Sequence, residues 1–338
     1  MSTPVLALVA NATDGTVSTF RIADGRLTRL AVSEVGPDCG TLAIDAERLL
    51  MYVATKPGAV VTCSLDPSTG ELTRWAETAA PGSVTYLALT PHSDRLLGVG
   101  YHEGFGLSWP VAEGRLGEPS AAVSHANLHS VVVTKDTRHA YLVSLGEDAV
   151  VRYVLGRDGS LTDPLVAAAP QGSGPRHIVL NAAETSAFVV TEFSGEVLHY
   201  ARGGASGALT LTSQASIVDP SAGLTHSRIG ADPLAGRLIW GADVHLAPNG
   251  HFAWASERTA STIATLPLGL SGEPEPSATY TPTETQPRGF GVTPDGRYLL
   301  AVGERSTSAT LYEIGADGSL SARDRQETGH GANWVRFV

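Results

Sequence analysis

Apolar residues in this chain come in short runs split by turn residues, and the runs recur. Residues 129–168 read HSVVVTK, HAYLVSL, AVVRYVL and LTDPLVA, four β-type segments in succession. No long window carries the 3.6-residue period of an amphipathic helix. A Gly-x-Leu turn marks each unit, at Gly25-Arg26-Leu27, Gly70-Glu71-Leu72, Gly114-Arg115-Leu116, Gly159-Ser160-Leu161, Gly207-Ala208-Leu209 and Gly318-Ser319-Leu320, with Gly272-Glu273-Pro274 as an imperfect further member. Successive glycines stand 45, 44, 45, 48, 65 and 46 residues apart. A second marker keeps the same interval. Apolar runs that follow Pro/Gly-rich loops begin at Gly40, Thr85, His129, Arg176, Ala242, Arg288 and Asn333, spaced by 45, 44, 47, 66, 46 and 45.

Four strands per roughly 45 residues is the signature of a propeller blade. The opening VLALVA matches the second strand of a blade and the closing NWVRFV matches the first. The two ends are therefore expected to share a blade. The reading is an all-β fold: one domain over 1–338, a seven-bladed β-propeller of four-stranded antiparallel blades, its ring closed by the C-terminal strand joining the N-terminal ones. The surplus of about 20 residues between the fifth and sixth units, near 217–240, reads as an insertion that gates or walls a pocket.

Composition narrows the partners. The 338 residues are 42% hydrophobic and 17% charged, with 37 Gly and 20 Pro, which suits a folded, turn-rich chain. The net charge is −11 and no run of Lys or Arg occurs, so neither nucleic acid nor an anionic membrane is an expected partner. No apolar run reaches the roughly 20 residues of a membrane-spanning helix. PVLALVA lacks a basic flank and reads as a strand rather than a signal peptide. Cys39 and Cys63 form neither a disulfide framework nor a metal-ligand spacing, so buried thiols and a cytoplasmic location are expected.

The repeat also places chemistry. In an antiparallel blade the first strand leaves one face and the second returns to it, so the start of one and the end of the other share a mouth. Arg176 heads a first strand and Glu192, 16 residues on, ends a second. The same offset gives Lys56, Tyr101, Leu145, Arg258 and Glu304 in the other units. Polar members gather in consecutive units as His129, Arg176, Glu192, Arg258, Arg288 and Glu304, while Gly40 and Thr85 leave space beside Lys56 and Tyr101. One charged wall facing a small-residue wall reads as a ligand pocket. A rim of mutually paired charges is the alternative.

The strings HSVVV, GSGPRHIVL with VVTEF, ADVHLAPNGHFAWASER, QPRGFGVTPDGRYLLAVGE and GANWVRF resemble the seven-bladed β-propeller lactonases, the family of bacterial 6-phosphogluconolactonase and 3-carboxy-cis,cis-muconate cyclase. The resemblance covers nearly the whole chain and is strongest from about residue 125. It implies a catalytic cluster of His129, Arg176, Glu192 and Arg258, four residues that blade arithmetic had already set on one rim. The chain departs from the family pattern at Asn127, at Ser144-Leu145-Gly146, at Thr85-Tyr86, and at Lys56 and Glu304.

Glu192, flanked by arginines, is the expected base and His129, titrating near physiological pH, the expected proton donor. Arg176 and Arg258 offer planar forks to a carboxylate, phosphate or enolate. Arg288, Glu304, Tyr101, Lys56, His177 and Asp243 are expected on the substrate side, with His177 also readable as a packing residue. Asp243 and His245 lack a third ligand at metal spacing, so neither a metal nor another cofactor is expected. The activity implied is metal-independent hydrolysis of a small, anionic lactone. Two alternatives stay open: a cyclase acting on an unsaturated acid by intramolecular addition, and a non-catalytic scaffold, against which WD-type signatures are absent.

Overall fold

The middle strands of this protein are apolar on both faces, and the outer ones on one. Leu50–Thr55, His139–Ser144 and Ser186–Thr191 are buried along their whole length, whereas Leu209–Ser216 and Leu320–Glu327 alternate between partly buried and exposed. A strand buried on both sides must lie between two others and under two layers; an alternating one ends its sheet. The computed structural model, which describes residues 5–277 and 279–338, resolves this pattern into seven antiparallel sheets arranged as a seven-bladed β-propeller.

No common centre holds the apolar core. Seven clusters lie between neighbouring blades instead: Leu8 and Val17 of the first pack with Leu42, Met51 and Val53 of the second, and Trp254 and Ile263 of the sixth pack with Phe290 and Leu299 of the seventh. The last cluster joins Leu300 and Leu311 to Ala7, Val9 and Phe20, so the ring is continuous. Closure is covalently split. Ala332–Phe337 pairs with Val5–Asn11, matching Val9 to Val335 and Ala10 to Trp334, with a register shift beside Asn11.

One blade departs from four plain strands. In the third, Phe105–Ala112 pairs with two short outer pieces, Arg115–Leu116 and Ala121–Ser124. Between them lie Gly117 and Pro119, and a proline has no N–H to give to a ladder. The segment 217–240 carries a single 3-10 turn, Pro220–Ala222, and one helical turn, Pro233–Gly236, each capped by an aspartate, Asp219 and Asp232. Among the described residues no helix is long and apolar enough to cross a membrane. Cys39 and Cys63 are free and buried.

Two glycines let strands meet closely at the hub. A Cβ on Gly241 would fall 2.2 Å from the Thr191 carbonyl oxygen, and one on Gly289 would fall 2.4 Å from that of Asn333. In both cases the obstacle is backbone, which has little room to yield. Gly289→Ala is expected to lower stability by about 1–3 kcal/mol, the usual cost of overpacking. Urea unfolding checks this, and an unchanged midpoint would show that the closing strand is not seated as described.

Candidate active site

Three first strands are interrupted where they reach the hub. In the fourth blade the register of Leu128–Val133 skips at His129, in the fifth that of Pro175–Leu180 skips at Arg176, and in the sixth that of Gly241–Leu246 skips across Ala242 and Asp243. A bulge re-aims a side chain that plain alternation would send to a blade face. Three successive bulges turn three first strands toward the axis. The Ser130 hydroxyl donates to the Arg176 carbonyl at 2.7 Å, tying the fourth blade to the fifth at this level.

At the centre Arg176 and Arg258 share one oxygen of Glu192. Arg176 Nε donates to Glu192 Oε2 at 2.8 Å and Arg258 Nη2 forms an ion pair with the same oxygen at 3.0 Å, while Oε1 takes no hydrogen bond from the described residues. The Arg176 side chain is 0% exposed, Arg258 2% and Glu192 16%. Arg176 Nη1 donates twice, to His177 Nε2 at 3.1 Å and to the Ala242 carbonyl. Its Nη2 is buried with no partner. Arg258 lies over the Trp240 ring, 3.7 Å from its centroid, and Glu257 holds that corner by accepting from the Trp240 N–H at 2.7 Å and the Thr259 N–H at 3.2 Å.

A cavity of about 510 Å³ opens over this cluster. Its wall includes His129, Arg176, Glu192, Arg258, Arg288, Glu304, Tyr101 and Lys56, eight of the ten residues expected from sequence. The charges grade outward: Arg288 pairs with Glu304 at 3.1 Å, both partly exposed, and Lys56 meets Asp38 at 3.9 Å, both open to solvent. On the opposite side a Cβ added to Gly40 would meet nothing within 4 Å, which confirms the space expected there.

Two expected substrate contacts lie elsewhere. His177 and Asp243 do not line the cavity; they are 2% and 8% exposed and sit one layer below it. His177 Nδ1 meets Asp243 Oδ1 at 2.8 Å, and the His177 ring packs edge-on against Tyr86, His129 and Trp334. The bulges beside them are the cause, since each advances its strand by a residue. Leu145 and Ala242, at rim positions by arithmetic, are likewise buried off the cavity. Sequence reasoning missed Trp240, Trp334, Asp38 and His102, all on the wall. Trp240 had a signal: it is the last residue of the insertion and precedes a first strand.

The electrostatics change one expectation. Burial opposes ionisation of Glu192, but Arg258, Arg176 and Arg288 outweigh it and hold its carboxyl below the ordinary value. Glu304 is held low in the same way, burial being overcome first by Arg288. Burial lowers both Arg176 and Arg258 from the usual guanidinium range. His129 does not titrate near neutrality as expected: burial, reinforced by Arg176, His177 and Arg288, pushes it well below 6.5, so the imidazole is neutral.

A closed ring whose mouth is lined by buried, convergent charge defines a propeller with a polar cavity at its hub. The model of the family "Lactonase, 7-bladed beta-propeller" matches residues 6–337, and the chain belongs to that family. A 6-phosphogluconolactonase of Klebsiella pneumoniae subsp. pneumoniae is 28% identical over 318 residues, covering 93% of this chain and 92% of its own. Among solved structures, a putative 6-phosphogluconolactonase from Bacteroides fragilis superposes with a TM-score of 0.87 at 21% identity, over 99% of this chain and 98% of that one. The periplasmic gluconolactonase of Pseudomonas aeruginosa gives 0.86 at 22%, over 99% of each. The two structures attest the fold.

Glu192→Gln leaves two buried guanidiniums uncompensated and is expected to cost about 3–5 kcal/mol, the usual result of breaking a buried pair. Because the folded carboxyl lies below its ordinary 4.5, its contribution is complete above that pH and is lost as pH falls through the lower folded value. Urea unfolding of both proteins should therefore differ most near neutrality and converge in acid. A constant difference across pH would contradict the assignment.

Proposed function

We propose that the protein hydrolyses a small, singly anionic lactone without a metal ion, using Glu192 as base and Arg176 as oxyanion donor. One observation carries the reading: Glu192 Oε2 takes both arginines, so Oε1 and Arg176 Nη2 are the unpartnered acceptor and donor of one buried cluster. Lactone hydrolysis needs that combination, a base for water and a donor for the oxygen on which charge develops.

Glu192 Oε1 takes a proton from water as the water oxygen bonds to the acyl carbon. Charge on the carbonyl oxygen is met by Arg176 Nη2. The acyl C–O bond of the ring then breaks, and the proton on Glu192 passes to the departing alkoxide, giving a hydroxy acid. Neutral His129 orients the water by hydrogen bonding. Charge on the wall supports one negative charge in the ligand: Lys56, Arg176, Arg258 and Arg288 face Asp38, Glu192 and Glu304, leaving a single positive excess in a chain of net charge −11. Among the described residues no three His, Cys, Asp or Glu are grouped as a metal site.

The test is a panel of neutral, carboxylated and phosphorylated lactones, followed by acid release. Carboxylated members should turn over fastest, with one solvent ¹⁸O in the product and no effect of chelator. Glu192→Gln should lower kcat by about 10²–10⁴. Rates restored by a divalent ion, or ring closure of an unsaturated acid with no ¹⁸O uptake, would replace this reading.

The acid limb gives a second check. A base held below 4.5 and a histidine well below 6.5 leave kcat/KM flat between about pH 5 and 8. An inflection near 6.5 would return His129 to the role of titrating acid.

A further inference from the structure

Beneath the cavity the channel has a floor whose polar members form an ordered chain. Tyr86, His177 and Trp334 meet edge-on, with ring centroids 5.1 to 5.5 Å apart, and close the axis one layer below the rim. Through this floor runs a line of hydrogen bonds from Glu192 through Arg176 and His177 to Asp243. The protonation of its middle member follows from its neighbours. A guanidinium has no acceptor, so His177 Nε2 must accept from Arg176 Nη1. The ring proton is therefore on Nδ1, where it donates to Asp243 Oδ1.

We propose that Asp243 and His177 are positioning residues that fix the guanidinium plane of Arg176, so that Nη2 is aimed at the developing oxyanion. The inference rests on the hydrolytic reading above for its kinetic consequence, but not for its geometry. Arg176 has five N–H hydrogens. One on Nε goes to Glu192 and two on Nη1 go to His177 and Ala242, so the two on Nη2 are left without partners. Without His177 the Nη1 side is held by the Ala242 carbonyl alone.

Asp243 is itself fixed. Its Oδ1 also accepts from the Val244 N–H at 3.0 Å, and Oδ2 accepts from the Phe290 N–H at 3.4 Å and meets His245 Nε2 at 3.2 Å. These partners come from the sixth and seventh blades, so the tautomer of His177 depends on contacts made by three successive blades. Among the first strands only the fifth has a histidine at this place; its counterparts are Thr41, Tyr86, Ser130, Asp243, Gly289 and Trp334. The relay is thus specific to the blade that carries Arg176.

Two substitutions separate positioning from packing. In His177→Gln the side-chain oxygen reaches the place of Nε2 and can accept from Arg176, whereas in His177→Asn the amide reaches only the place of Nδ1. The relay predicts that His177→Gln stays within about threefold of wild-type kcat, while His177→Asn loses roughly 10- to 100-fold in kcat with KM little changed, the range for losing a hydrogen bond to a charged group. Ring ¹⁵N shifts of the wild-type protein should show His177 neutral, with its proton on Nδ1, from pH 5 to 8. A proton on Nε2, titration within that range, or equal losses in both variants with matching falls in Tm would overturn the relay. Absence of turnover on every lactone would instead sink the hydrolytic reading, and the ring spectra alone would then decide the relay.

Discussion

Two guanidinium groups with almost no solvent exposure are held against one carboxylate oxygen at the hub of this ring, and much of the architecture follows from the need to keep them there. Removing a single charge from water costs several kcal/mol even after relaxation, so such a cluster persists only where geometry is fixed from several sides. Here Arg176 and Glu192 come from the fifth blade and Arg258 from the sixth. The Arg176 carbonyl is tied to the fourth blade by Ser130, and the floor draws on the first, third, sixth and seventh. No single blade could hold the cluster. Ring closure through Ala332–Phe337 is therefore a condition for the site as much as for the fold.

The fold was legible because each blade solves the same packing problem. Both faces of a sheet must be covered by neighbours, so the same strand lengths and turn residues recur near every 45 residues, and two independent markers report them. The offset of 16 was equally secure, since antiparallel pairing sets which residue ends the second strand opposite the start of the first. It placed Lys56, Tyr101, Glu192, Arg258 and Glu304 on the wall. It failed at Leu145, whose N–H bonds to the Asn127 carbonyl at 3.1 Å while its side chain is buried off the cavity.

What stayed hidden was local. A bulge adds a residue without any fixed composition, so nothing in RHIVLNA or ADVHLAP announces that His177 and Asp243 drop below the rim. The charge state of His129 was hidden for another reason. Histidine in a sequence suggests titration near neutrality, but the depression here comes from full burial beside arginines drawn from three other strand ends, a field that exists only once the ring is assembled.

The cavity leaves several buried polar atoms unpaired. His129 Nδ1, Arg176 Nη2, Asn333 Oδ1 and Trp334 Nε1 are buried without partners on side chains that line it. Each such group costs about 1–3 kcal/mol in a closed protein, a cost that a ligand with complementary atoms removes. A repeating ring by itself offers seven similar rim positions and little discrimination among ligands. The repeat is broken most at 217–240, where the insertion delivers Trp240 to the wall and onto the face of Arg258. That aromatic lid shields one face of the guanidinium from solvent, which strengthens the attraction of Arg258 for an anion approaching from the cavity side. The insertion thus adds to the wall an aromatic side chain that the repeat alone does not supply.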